Sequence, residues 1–333
     1  MRGSGGCQRM HAVVPVREEV LTKENMERGA SKKDVREEDW VKEVLEGGSL
    51  RNVELEDGEH GWASPQASLF MVRGLNYFQK KLKTPCSEAL LEPLGVDWLR
   101  SNGKLDHVLA HPGNRVMQAF EKASGEARKT SFIVAINLQV PGKDHHSAVF
   151  YFVTDEPIVE GSLLYRFIHQ DDAFRNSRFK LINRIVKGPW IVKTAVGNHA
   201  ACLLGRALTC RYMRGHNYLE IDVDIGSSTV ANAILHLALG YVTTVSVDMA
   251  FLIEAQSDEE LPEKLLGAVR IAQIEMETAS YLEVHHENSA LPSHHQPVYQ
   301  SSLYWRKFGK SLSKFGGHGS KNGRVDAEDV GEK

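Results

Sequence analysis

Two runs in this chain, Leu203–Arg214 and Asn217–Ile225, flank Gly215-His216, and they can pair in few ways without mixing polar and apolar faces. Glycine at the first central position suits a two-residue type II′ turn. That turn places Leu208, Cys210 and Tyr212 opposite Val223, Ile221 and Leu219 on an apolar face. On the other face Arg211 meets Glu220 and Thr209 meets Asp222. A one-residue slip would turn every side chain over, so burial and register are set together.

Other segments carry the same alternation. Phe132–Val140 reads as a strand with Phe132, Val134, Ile136, Leu138 and Val140 on one face. Pro141-Gly142 opens a loop, and Ser147–Val153, apolar on both faces, returns as its partner. Trp190–Val196 reads as a further strand and Tyr241–Glu254 as a long one. Between them, Ser162–Gln170 suggests a short helix. Ser227-Ser228 can cap a helix whose stripe is Val230, Ala233, Ile234, Leu237 and Ala238. Ser257-x-x-Glu260 fits a capping box, predicting a helix to about Tyr281 that buries Leu265, Ala268, Val269, Ala272 and Met276. The expected class is α+β, a mostly antiparallel sheet with packed helices, START-like or helix-grip-like. The apolar faces of 132–153 and 241–253 fit a cavity lining and ordinary core packing equally well.

Composition bounds the rest. At 42% apolar and 25% charged, the 333 residues exclude whole-chain disorder and a fibre. With 40 Lys+Arg against 43 Asp+Glu, the chain is no globally basic nucleic-acid binder. No apolar run reaches the ~18 residues of a membrane-spanning helix. Residues 1–60 hold 10 Lys+Arg and 14 Asp+Glu with few aromatics, so they are expected to be disordered, with a transient helix near Val35–Leu45. The folded unit is expected over 61–283, followed by a disordered linker and basic-aromatic tail over 284–333. Cys202 and Cys210 lie among apolar residues and read as buried thiols of a reducing compartment. Placement is expected to be cytoplasmic or peripheral to a membrane. The alternative is a transit peptide, since Arg2 and Arg9 precede any acid.

Four groups of residues invite chemistry. Asp222-Val223-Asp224 at a strand end matches the paired carboxylates that hold Mg²⁺ in phosphoryl transfer, which makes a metal-dependent hydrolase using Asp222 and Asp224 the enzymatic alternative. The plainer reading is a solvated acidic face. Arg175, Arg178 and Lys180, interleaved with Phe174 and Phe179, are candidates for an anionic headgroup; against them stands an internal network with Asp171 and Asp172. The pairs His145-His146, His285-His286 and His294-His295 lack the companions of a zinc site and read as surface histidines. Between Ser301 and Val325 six Lys+Arg occur without an acid. There Trp305, Phe308, Leu312 and Phe315 form a helical stripe beside Arg306, Lys307, Lys310 and Lys314, the pattern of a membrane-contact or partner-binding helix. No GxGxxG, P-loop, HExxH or GxSxG motif is present.

Six stretches in order, VRGLNYFQKKLK, YRFIHQDDAFRNSRFKL, GPWIVKTAVG, NYLEIDVDIGSS, VDMAFLIE and ELPEKLLG, resemble the C-terminal domain of the plant Enhanced Disease Resistance 2 family over about Trp62–Leu282. Longer members place pleckstrin-homology and START domains ahead of it, and this chain reads as a stand-alone member without them. The resemblance implies membrane-linked regulation of plant defence and cell death, and no catalytic residue carries over. The expectation is therefore a non-enzymatic regulatory domain without a cofactor. Its expected partners are a lipid or anionic membrane surface, or else a protein, and not nucleic acid.

Overall fold

A computed structural model describes residues 40–284 apart from 124, 126, 198 and 199. Its strands are β1 (Arg51–Asn52), β2 (Gly61–Ala63), β3 (Met71–Arg73), β4 (Lys83–Pro85), β5 (Glu92–Ser101), β6 (Phe132–Val140), β7 (His145–Thr154), β8 (Phe179–Lys187), β9 (Ala200–Leu203), β10 (Thr209–Arg214), β11 (Tyr218–Asp224), β12 (Ser246–Ile253), β13 (Leu265–Ala272) and β14 (Ser280–Leu282). One sheet runs β1-β2-β13-β12-β8-β9, a second β10-β11-β6-β7-β5-β14, and β3-β4 forms a small ribbon. Most pairs are antiparallel; β1–β2, β6–β11 and β5–β14 are parallel. The class is α+β, as the alternating runs and helical stripes predict.

The two large sheets pack face to face. Phe150 and Phe152 of β7 meet Phe251 of β12 at ring-centroid distances of 5.6 and 6.1 Å, and Phe179 of β8 stacks on Phe251 at 6.2 Å. All four rings are fully buried, each contributing about 2–3 kcal/mol from apolar area removed from water. The faces of 132–153 and 241–253 are thus ordinary core. Outside the second sheet, Trp40, Val44, Val116 and Phe120 cover Leu94, Ala135 and Tyr151. Outside the first, Phe70, Val72 and Cys86 cover Ile182, Ala250 and Leu252.

Several expectations need correction. Residues 40–46 are helical, and Trp40, Val44 and Leu50 are buried, so packing starts well before Gly61. Leu265–Ala272 is a strand in place of a helix, with all eight residues buried. A short apolar run satisfies both periodicities, and burial against β12 on one side and β2 on the other decides for the strand. A helix-grip arrangement needs a long helix across a sheet, and the longest among the described residues is Thr229–Leu239. Trp190–Val196 is a helix in place of a strand, opened by Pro189 and closed by Gly197 at φ 82°. Its β-branched residues mimic a strand, but those two residues punctuate a helix. The long strand expected from Tyr241 begins at Ser246, after a 3₁₀ turn over Val242–Thr244. Leu163–His169 and Thr229–Leu239 are helices as predicted, capped by the Ser162 and Ser228 hydroxyls.

The 209–224 hairpin forms, shifted by two residues. Cys210 faces Val223, Tyr212 faces Ile221 and Arg211 faces Asp222. The Gly215 N–H donates to the Tyr218 carbonyl at 3.0 Å, so the turn centres on His216-Asn217. Gly215 is needed for space: a Cβ there would sit 2.1 Å from the Tyr218 ring.

Candidate functional site

At the end of the sandwich where β7 and β12 finish and β13 begins, residues 154–166 and 257–264 leave a cleft of about 800 Å³ between them. Leu90, Ile158, Val159, Leu163, Ile253 and Leu261 supply apolar wall. Arg166, Ser257, Glu259, Glu260 and Lys264 supply the polar part. The volume lies in the usual range for small-ligand sites. Val159 is 72% exposed at the rim, an apolar side chain that folding has not covered.

Behind the polar wall lies a charged network. Arg166 donates to Glu260 at 2.6 Å, and Arg178 donates to the same carboxylate at 2.7 Å and to the Glu254 carbonyl at 3.0 Å. Lys180 lies 3.1 Å from Glu254 and 3.6 Å from Glu263, and Arg73 lies 2.9 Å from Glu254. Burial works to raise the Glu260 carboxyl, but the Gln256 N–H and the Arg166 and Arg178 guanidiniums outweigh it and hold it below its ordinary value.

This network corrects the headgroup reading. Arg175, Arg178 and Lys180 are buried, and their donors point inward. Arg175 donates to the Phe167 and Ile168 carbonyls, both at 2.8 Å, and to Asp172 at 2.7 Å. Asp171 caps the following helix by accepting from Phe174 N–H. The internal network wins because each cation finds a carboxylate or a helix-end carbonyl within the domain.

The metal reading also fails on geometry. Asp222 accepts from the His107 N–H at 3.0 Å and from the Asn137 side chain at 2.8 Å, while Asp224 pairs with Lys104. Among the described residues no three metal-ligating side chains gather. Nor does Arg211 serve Glu220: it pairs with Asp106 at 2.8 Å. Glu220, fully buried, accepts from the backbone N–H groups of Val108 and Leu109, so these acids anchor the crossing segment 105–110 onto β11. His146 stacks on Trp98 at 5.1 Å. Cys202 is buried, and desolvation pushes its thiol up to about 12, which leaves it inert as a nucleophile. The tail residues Trp305–Phe315, His285-His286 and His294-His295 lie outside the described residues.

Burial, with the Asp222 carboxylate beside it, pushes Glu220 up from 4.5 to about 9. A group whose carboxyl titrates higher folded than unfolded holds its proton more tightly in the folded state. Its contribution is full in acid and is lost as pH rises through about 9. Urea unfolding across this range should show wild-type stability falling with pH, and Glu220→Gln should flatten that slope. Equal slopes in the two proteins would mean that Glu220 is ionised in the fold.

Sequence reasoning passed over the cleft. Its wall comes from separated segments, and one signal was legible: Pro157-Ile158-Val159 is an apolar triplet in a loop otherwise made of Asp155, Glu156, Glu160 and Gly161.

Fold and cleft together define a two-sheet α+β domain with an open amphiphilic pocket at one end. Residues 62–275 match the family described as Protein ENHANCED DISEASE RESISTANCE 2, C-terminal, and the chain belongs to that family. One similar protein is a "Protein ENHANCED DISEASE RESISTANCE 2-like" of Arabidopsis thaliana, 46% identical over 232 residues. That match covers 70% of this chain and 31% of the relative, so the chain spans about a third of that protein's length. No solved structure matches.

Proposed function

We propose that this domain is a non-enzymatic regulator, related to plant defence as its family's name implies, whose cleft takes the apolar part of a lipid. The observation that carries this reading is the open cleft of about 800 Å³, lined both by apolar side chains and by Arg166, Ser257, Glu259, Glu260 and Lys264. Such a mixed lining suits an amphiphile, whose chain gains from leaving water while its polar end meets charge and hydroxyl. The absence of enzymatic action is supported by the acids: Glu220, Asp222 and Asp224 are each committed to a backbone or side-chain partner.

The test is solvent extraction of the purified full chain followed by mass spectrometry, with Ile158→Trp as the blocked cleft. The wild type should carry a near-stoichiometric amphiphile. The variant should lose it while unfolding at the same temperature, because Ile158 is only partly buried in a loop. Lipid-free wild type that also fails to bind a fluorescent fatty acid would remove the proposal.

A further inference from the structure

The ribbon β3–β4 differs from the rest of the surface. From His60 to Ser87 the chain contains no Asp or Glu, yet it carries Arg73, Lys80, Lys81 and Lys83. The ribbon's base is fixed. Phe70, Val72 and Cys86 are buried against the first sheet, and Arg73 is tied to Glu254 and Glu263. The Arg73 and Glu263 backbones and carboxylate also bond reciprocally: Arg73 N–H donates to Glu263 Oε2 at 2.8 Å and Glu263 N–H to the Arg73 carbonyl at 2.9 Å.

Beyond this base the tip projects. Leu75 is 67% and Leu82 54% exposed, with Met71 at 43%. Tyr77 and Phe78 open a one-turn helix, Tyr77–Lys80, and are half-buried beneath cations. The Arg73 guanidinium sits 4.7 Å and the Lys81 ammonium 5.4 Å from the Tyr77 ring centroid. Arg73 is neutralised at the base. Lys80, Lys81 and Lys83 have no ion-pair partner among the described residues.

We infer that this tip, residues 74–83, docks the domain onto an anionic bilayer surface, with Leu75 and Leu82 entering the interface and Lys80, Lys81 and Lys83 facing acidic headgroups. Charge complementarity selects the occupant. Three ammonium groups without a carboxylate partner beside two exposed leucines match a surface that is acidic and apolar within a few ångströms, as a leaflet is. A rigid base keeps the ordering cost of docking low. A hollow of about 320 Å³ lies beside the tip, walled by Val72, Leu75, Leu82 and Pro262. Pro262 also lines the larger cleft, so a bilayer met by the tip lies beside the cleft mouth. This inference stands apart from lipid occupancy of the cleft.

Sedimentation of the full chain with phosphatidylcholine–phosphatidylserine vesicles tests it, with phosphatidylcholine alone as reference. Partitioning should require phosphatidylserine and weaken with salt. Lys80→Gln/Lys81→Gln/Lys83→Gln should lower it by about tenfold or more, given what each basic side chain near an acidic leaflet contributes. Leu75→Ser/Leu82→Ser should also weaken it, and both variants should fold, since these side chains are exposed. Amide exchange over residues 74–83 should slow when vesicles are added. Undiminished partitioning of both variants, or vesicle binding without protection of 74–83, would overturn the inference and move contact to another segment, 301–315 included. Absence of any vesicle binding would overturn it too and leave a protein partner for the tip. Ile158→Trp should leave partitioning unchanged, so failure of the cleft reading and failure of this one are read separately.

Discussion

Replacing Asp248 by alanine should lower the unfolding free energy by about 3–5 kcal/mol, measured by urea denaturation at neutral pH. Asp248 sits in β12, fully buried, and its cross-strand neighbours are Arg184 on β8 and Arg270 on β13. Arg184 donates to Asp248 Oδ2 through Nε at 2.9 Å and Nη2 at 2.6 Å. Arg270 donates through Nη2 at 3.0 Å and through Nε to Oδ1, and its Nη1 reaches the Leu55 carbonyl at 2.6 Å. One carboxylate therefore serves two guanidiniums across three strands. Its removal leaves two cations facing each other with little water, because the Arg270 side chain is only 7% exposed. The cost comes from stranding those charges; the intact triad itself is nearly balanced by its own desolvation. A second substitution separates the two statements. Asp248→Ala with Arg270→Met should recover more than half of the loss, since an apolar side chain of similar length fills the site. If the double variant is as weak as the sum of its singles, the stranded-charge account is wrong.

Asp248 was legible only as part of an alternating strand, and that holds for the molecule generally. Period-two alternation found β6, β11 and the core half of β12, and β7 followed from them as the strand returning from the Pro141-Gly142 loop. It could not see a register shift of two. Moving Cys210 from Ile221 to Val223 keeps every side chain on its own face, so pattern alone scores both registers alike. The deciding fact is local: the Tyr218 ring lies across Gly215 and moves the turn one residue on. Pattern also failed on Leu265–Ala272, where burial on both faces erases any period. The charged residues were legible as a cluster and illegible as a network. Arg178 and Glu260 lie 82 positions apart, and nothing short of the fold brings them together. The same holds for the cleft, whose wall joins Leu90 to Ile253. The ribbon tip was in plain view within VRGLNYFQKKLK, but exposure of Leu75 and Leu82 is a property of the fold and not of their spacing.

Gly267→Ala should cost about 3 kcal/mol, near the upper end for inserting one methyl group into a filled core, and should lower the melting temperature by roughly 6–12 °C for a domain of this size. Gly267 lies in β13 directly beside Phe251 of β12, and Phe152 of the opposite sheet rests on it. A Cβ at this position would stand 2.3 Å from Phe152 Cδ1 and 2.4 Å from Cε1. Carbon atoms approach to about 3.5 Å without repulsion, so the ring must retreat by about 1 Å. Phe152 has no room for that. It is fully buried and packs edge-on against Phe251, whose ring also meets Phe150 and Phe179. The alternative is to push the sheets apart at their centre, which strips contacts from all four rings together. Shortening the obstructing side chain should therefore rescue the change. Phe152→Leu alone leaves a gap and destabilises, yet combined with Gly267→Ala it should be more stable than the two losses added, by about 1 kcal/mol or more. Additivity of the pair in denaturant melts would mean that Phe152 does not press on Gly267, and that the two sheets are spaced by something other than this missing side chain.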